Sequence, residues 1–157
     1  MKNKQIFLTG EGYLELEEEL NFLKIDKRAE VMQTLKDARA LGDLSENSEY
    51  DQALNDQEEL ERRIAEIEYT LENATIIDES EQEEGVVGIG RTVIIRYEGE
   101  DDTEEYKIVG SQEADPFNNK ISNESPIAAA ILNRRVGELV DVDSPAGKYK
   151  VEIVEVK

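Results

Sequence analysis

The sequence predicts an α+β chain in which an N-terminal antiparallel helical hairpin is followed by a small domain, a bent antiparallel sheet packed on one short helix. Three observations carry this. Apolar residues recur at alternating steps of three and four through the first half, an acidic and apolar-poor stretch follows, and beyond it the apolar period falls to two.

From Tyr50 the seam runs Tyr50, Ala53, Gln57, Leu60, Ile64, Ile67, Leu71 and Ala74, a heptad pattern with one polar break. Upstream, Tyr13, Leu16, Leu20 and Leu23 share the pattern, which resumes at Val31, Leu35 and Ala38. The long step from Leu23 to Val31 through Lys27 reads as a four-residue stutter. Two helices are expected, roughly 11–41 and 47–74. The short connection around Gly42-Asp43-Leu44-Ser45-Glu46 forces them antiparallel. At 1.5 Å per residue such a hairpin is about 40 Å long.

Residues 79–85, Glu-Ser-Glu-Gln-Glu-Glu-Gly, read as an acidic linker, which divides the chain into an arm over 1–78 and a domain over 86–157. In the second half Thr92 to Tyr97, Tyr106 to Val109, and the alternating Tyr149, Val151 and Ile153 are expected strands. Ser125-Pro126 before Ile127-Ala128-Ala129-Ala130-Ile131-Leu132 reads as a helix with Ser at the N-cap and Pro at the first turn, ending near Gly137.

Composition narrows the chemistry. The 157 residues include 38 acidic and 18 basic side chains, a formal charge of −20, with no Cys and no His. Disulfides, zinc fingers, thiol nucleophiles and imidazole bases are excluded, and any bound metal must be a hard cation held by carboxylates. The charge is split evenly: residues 1–78 carry 9 basic against 20 acidic side chains (−11), residues 79–157 carry 9 against 18 (−9). Neither half is a basic module, so independent tight binding to nucleic acid is not expected. No apolar run approaches membrane-spanning length and the first residues lack a signal-peptide core, so the expectation is a cytoplasmic protein with no membrane partner.

The hairpin turn concentrates Asp43, Glu46 and Glu49 among Ser45, Asn47 and Ser48. Two readings fit. Asp43-x-x-Glu46 and Ser48-x-x-Asp51 resemble capping boxes, in which acids sit at the positive end of a helix. Alternatively, Asp43 and Glu46 present two carboxylates at the end of a rigid arm, able to share a divalent ion with another protein's active site.

The motifs Leu8-Thr9-x-Glu11-Gly12-Tyr13-x-x-Leu16-x-x-Glu19-Leu20-x-x-Leu23-Lys24, Ala38-Arg39-x-x-Gly42-Asp43-Leu44-Ser45-Glu46-Asn47-x-Glu49-Tyr50 and Glu61-x-Arg63-Ile64 resemble the Gre family of bacterial transcript cleavage factors, GreA type. The resemblance continues through Tyr106-x-Ile108-Val109-Gly110, Glu113-Ala114-Asp115 and Ile121-Ser122-x-x-Ser125-Pro126, and so spans nearly the whole chain. It implies an FKBP-like second domain that docks on RNA polymerase beside the secondary channel, and a coiled coil that reaches the active site. There the tip carboxylates, by resemblance Asp43 and Glu46, help hold a magnesium shared with the polymerase, so that the 3′ end of a backtracked RNA is cut. The chain would then have no cofactor of its own and would be an activator, not an enzyme.

The resemblance also assigns tip support to Ser45, Asn47 and Tyr50, an RNA-facing basic patch to Lys36, Arg39 and Arg63, and polymerase docking to Glu124, Ser125 and Pro126. Each has an ordinary reading beside it: caps, a packed seam residue, solvated helix charges and a helix start. The chain departs from the family at Leu54, where a basic residue is usual, at Ala29, where Pro often follows Arg28, and at Asn133, where Gly is usual. Competing functions are a channel-occupying inhibitor of the polymerase, which needs no Asp/Glu pair, and a prolyl isomerase or chaperone. The second half has only Tyr97, Tyr106, Phe117 and Tyr149 to line an isomerase pocket.

Overall fold

The structure is a computed structural model that describes residues 5–42 and 47–157. The chain divides into two units, one of residues 13–73 and one that combines residues 1–12 with 74–157.

The first unit is the hairpin. After strand β1 (Phe7–Leu8), which belongs to the second unit, the chain enters helix α1 (Gly10–Phe22), a π-helical segment (Leu23–Lys27) and α2 (Arg28–Ala40); α3 (Ser48–Asn73) returns. The residues flanking the π segment, Phe22 and Arg28, are themselves helical, so the rod is continuous from Gly10 to Ala40. The backbone N–H of Arg28 bonds to the carbonyl of Leu23, five residues back. This wide turn falls where the sequence stutters. Steps of four through Leu23, Lys27, Val31 and Leu35 exceed 3.6 residues per turn, and one wider turn restores the apolar face.

That face is buried as the seam requires: Val31, Leu35, Ala38, Ala53, Leu60, Ile64 and Ile67 are each at most 6% exposed. At about 1.5–3 kcal/mol per buried aliphatic side chain, this row carries the hairpin's stability. Ion pairs set the alignment of the helices. Arg28 grips Glu61 with two bonds of 2.9 Å, Arg63 grips Glu19 at 3.1 and 2.9 Å, and Lys24 meets Glu68 at 2.6 Å. All are solvent-accessible, and such pairs contribute about 0–1 kcal/mol each.

The second unit holds a five-stranded sheet in the order β5-β4-β3-β7-β6. Its strands are β3 (Thr92–Tyr97), β4 (Thr103–Val109), β5 (Lys120–Ser122), β6 (Leu139–Ser144) and β7 (Gly147–Val156), with helix α4 at Pro126–Ile131. Alternating residues Val93 and Ile95, Val140 and Val142, Val151 and Ile153 point inward and meet Ala128 and Ile131 of α4. A register shift between Ile94 and Ile95 bends β3 against β7.

Two features differ from expectation. The sheet is mixed, because β5 runs parallel to β4; residues 110–119 between them form two 3-10 turns, not a hairpin. Helix α4 also stops at Ile131, well before Gly137. Asn133 is left-handed at φ 67, and its N–H bonds to the carbonyl of Val87 at 2.9 Å, turning the chain toward the Val86–Arg135 bridge. A side chain that tolerates this region must stand there, which accounts for Asn in place of Gly.

The division into units runs elsewhere than composition suggests. Strand β1 pairs in parallel with β2 (Thr75–Ile76), and Leu8 is fully buried. The acidic stretch is anchored by its backbone: Arg91 donates to the carbonyls of Glu83, Val86 and Gln82 at 2.6, 3.2 and 3.4 Å. Among the described residues no helix is long and apolar enough to cross a membrane.

Candidate functional site

Asp43, Ser45 and Glu46 lie outside the described residues, as does the proposed Asp43-x-x-Glu46 capping box. The residues on either side are well defined. Helix α2 ends on Leu41, and Gly42 takes φ 108, a conformation that an L side chain rarely adopts. Helix α3 begins at Ser48, so the cap is Asn47 and not Ser48; the expected Ser48-x-x-Asp51 box is not formed. The Asn47 carbonyl oxygen accepts from the backbone N–H of Tyr50 at 3.1 Å, and its amide nitrogen donates to the carbonyl of Ala38 at 2.7 Å. Ser48 is left in the first turn with Glu49 and Asp51, both acidic at the positive end of α3.

Tyr50 is half-buried, and the guanidinium of Arg39 lies 5.8 Å from its ring centroid. Lys36 and Arg39 are exposed and form no ion pair among the described residues. Arg63 differs. Its bidentate bond to Glu19, with Glu66 at 3.5 Å, raises its pKa above the ordinary arginine value and leaves its charge answered within the hairpin. Leu54 is half-buried beside the seam. The described residues include no cluster of three or more acidic side chains able to hold a metal.

In the second unit the Ser125 hydroxyl accepts from the N–H of Ala128 at 3.4 Å, and Pro126 opens α4, as the sequence indicated. Glu124 is exposed; its carboxylate accepts from the Ser111 hydroxyl at 3.1 Å, and Ser111 meets Ser122 at 2.8 Å. The loop 122–125 is thus built on a serine-rich brace.

Sequence reasoning missed a second constellation, at the start of α1. The Thr9 hydroxyl accepts from the N–H of Gly12 at 3.0 Å and donates to Glu113 at 2.6 Å, while the N–H of Thr9 donates to the same carboxylate at 2.9 Å. This is a capping box completed from a distance. The third helical residue, Gly12, has no side chain to return to Thr9, and Glu113 takes that place. A Cβ on Gly12 would collide with the Glu113 carboxylate, and one on Gly110 would collide with the backbone carbonyl of Phe7. The only sequence signal was that Thr9, Gly12, Gly110 and Glu113 all stand in the motifs quoted above.

Comparison with known proteins completes the assignment. The family described as transcription elongation factor, N-terminal, matches residues 6–76, and that described as transcription elongation factor, GreA/GreB, C-term, matches residues 81–157. The chain belongs to the GreA/GreB family. Transcription elongation factor GreA of Thermoanaerobacter pseudethanolicus is 53% identical over 155 residues, 99% of each chain. That of Clostridium acetobutylicum is 47% identical over 156 residues, again 99% of each. Among solved structures, GreA factor homolog 1 of Thermus thermophilus aligns with 98% of this chain and 99% of its own, at 27% identity and a TM-score of 0.45. This member of the family carries the tip run Gly42 to Asn47 in its sequence and a Thr9–Glu113 contact at the start of α1.

Proposed function

We propose that this protein is a GreA-type elongation factor that binds RNA polymerase, reaches the active site with its hairpin, and stimulates the polymerase's own hydrolysis of backtracked RNA. The observation that carries the reading is the tip run Gly42-Asp43-Leu44-Ser45-Glu46-Asn47 on a two-helix arm, in a chain 53% identical to a GreA factor over its full length. Asp43 and Glu46 would hold the magnesium, since two carboxylates are hard oxygen donors and no His or Cys competes. When bound, the ion supplies charge stabilisation to the attacking and leaving oxygens. The chain itself positions two charges. Helix α3, of 26 residues, spans about 39 Å at 1.5 Å per residue, and its bidentate ion pairs fix its alignment with α1 and α2. Lys36 and Arg39 face solvent with charge to offer RNA, whereas Arg63 serves as a strut. Glu124, Ser125 and Pro126 form the docking edge on the polymerase.

The test is transcript cleavage in a stalled, backtracked elongation complex. Asp43→Asn and Glu46→Gln keep size and capping ability but remove the charge that binds a hard cation, so cleavage should fall by about two orders of magnitude while polymerase binding is retained. Partial rescue by added Mg²⁺ is expected. Near-wild-type cleavage by the double variant would favour the capping reading, and polymerase inhibition without cleavage by the wild type would favour the channel-occupying alternative.

A further inference from the structure

We infer that the side-chain amide of Asn47 is a positioning residue for the cleavage reaction, acting by tying together the two helix ends from which the tip carboxylates are carried. The inference rests on the proposed function. Each helix end leaves backbone groups without intrahelical partners: carbonyls in the last turn of α2, N–H groups in the first turn of α3. Asn47 caps one of these N–H groups and adds a second donor to a carbonyl of α2 that already accepts from the N–H of Leu41 at 3.3 Å. Its oxygen accepts from the N–H of Tyr50, and its nitrogen donates to the carbonyl of Ala38, nine residues back. The orientation is unambiguous, since only the nitrogen can donate to a carbonyl and only the oxygen can accept from an N–H.

An ordinary cap needs only the acceptor. The second bond, at 2.7 Å, contributes nothing to capping α3; it links α2 to α3 across residues 43–46. The Arg39 guanidinium over the Tyr50 ring joins the same two turns a second time. The two helix ends that flank Asp43 and Glu46 in the sequence are therefore fixed to one another, which lowers the entropy that must be lost when the carboxylates meet a metal and a phosphate. Asp lacks the donor, and the Ser hydroxyl that caps Tyr50 is too short to reach Ala38 as well. Among good N-cap residues only Asn does both.

The test compares full-length wild type, Asn47→Ser, Asn47→Asp and Asp43→Asn. Cleavage of backtracked RNA is measured against factor concentration, with polymerase binding by competition and hairpin unfolding by circular dichroism. Ser and Asp preserve the cap, so both should match wild type in helicity and half-saturating concentration, with a midpoint shift no larger than the loss of one hydrogen bond produces, while the cleavage rate at saturation falls about tenfold or more. Using both variants keeps the result readable if the added charge of Asp disturbs the tip. If wild type cleaves, Asp43→Asn does not, and both Asn47 variants cleave as wild type, the positioning role is overturned and the proposed function stands. A loss of cleavage matched by an equal loss of binding or helicity overturns it too, leaving a purely structural cap. If wild type fails to stimulate cleavage, the proposed function fails, and the inference with it.

Discussion

Replacing Gly110 by Ala tests whether the first residues of the chain are part of the second unit. The backbone at Gly110 is ordinary, with φ −67, so conformational strain is not at issue. Space is. A Cβ would overlap the carbonyl oxygen of Phe7, a backbone atom that cannot rotate away, so β1 must move as a whole. Displacing β1 exposes Leu8, now fully buried, at about 1.5–3 kcal/mol. It also separates Thr9 from the Glu113 carboxylate, and hydrogen bonds to charged groups contribute about 1.5–3 kcal/mol. The expected loss is therefore about 3–6 kcal/mol. Gly12→Ala is the internal control. There the clash is with the flexible Glu113 side chain, which can swing away at the loss of its Thr9 bonds, partly offset by about 1 kcal/mol from the better helix propensity of Ala. Urea unfolding gives the midpoint shift at unchanged slope. Amide exchange locates it: the N–H groups of Thr75 and Ile77, bonded to the carbonyls of Ile6 and Leu8 at 2.7 and 2.8 Å, should lose protection while those of β7 keep it. A Gly110→Ala protein within about 0.5 kcal/mol of wild type, with Ile77 still protected, would refute the reasoning.

Two further outcomes are expected. A fragment of residues 79–157 should be less stable than one in which residues 13–73 are replaced by a short flexible linker, because only the latter retains Leu8, Thr9 and the β1–β2 pair; equal urea midpoints would contradict this. Alkali should weaken the second unit. Burial, then the hydrogen bond that Tyr106 donates to Glu104, raises its phenol above the ordinary value of 10, and burial raises that of Tyr149. Above pH 10 the unfolded chain binds fewer protons than the folded one, so stability is unchanged below that pH and falls as it climbs; Tyr106→Phe should flatten the decline in a urea-midpoint series.

The hairpin was legible because its information is local and periodic. The heptad seam named every buried position from Ala53 to Ile67, and the stutter at Lys27 marked the π segment. The edge strand β6 was less visible, although Val140 and Val142 alternate with Asp141 and Asp143, because its solvent face is acidic and reads like the loops around it. The early end of α4 was hidden in Asn133, whose left-handed backbone answers a bond to Val87 that no local pattern announces. Residues 79–85 looked like a linker because their side chains are acidic, whereas Arg91 holds them by their carbonyls. The tip carboxylates were named from the family resemblance, but the choice of Asn47 over Ser48 as the cap turned on where α3 begins, at Ser48, so that the Tyr50 N–H meets the Asn47 oxygen.

The parallel pairing of β1 with β2 has a consequence for the order in which the chain assembles. Phe7 must come to lie against Gly110, and Thr9 must reach Glu113, roughly 100 residues later in the sequence, and a closure of that length is entropically expensive and slow. The hairpin forms from contacts close along the chain, so it can complete first, and once it has, Phe7 and Thr75 are neighbours. The remaining separation from Ile76 to Gly110 is then roughly 34 residues, which lowers the closure entropy by about 1 kcal/mol. The hairpin is, during folding, the splint that delivers the first residues of the chain to the sheet emerging last.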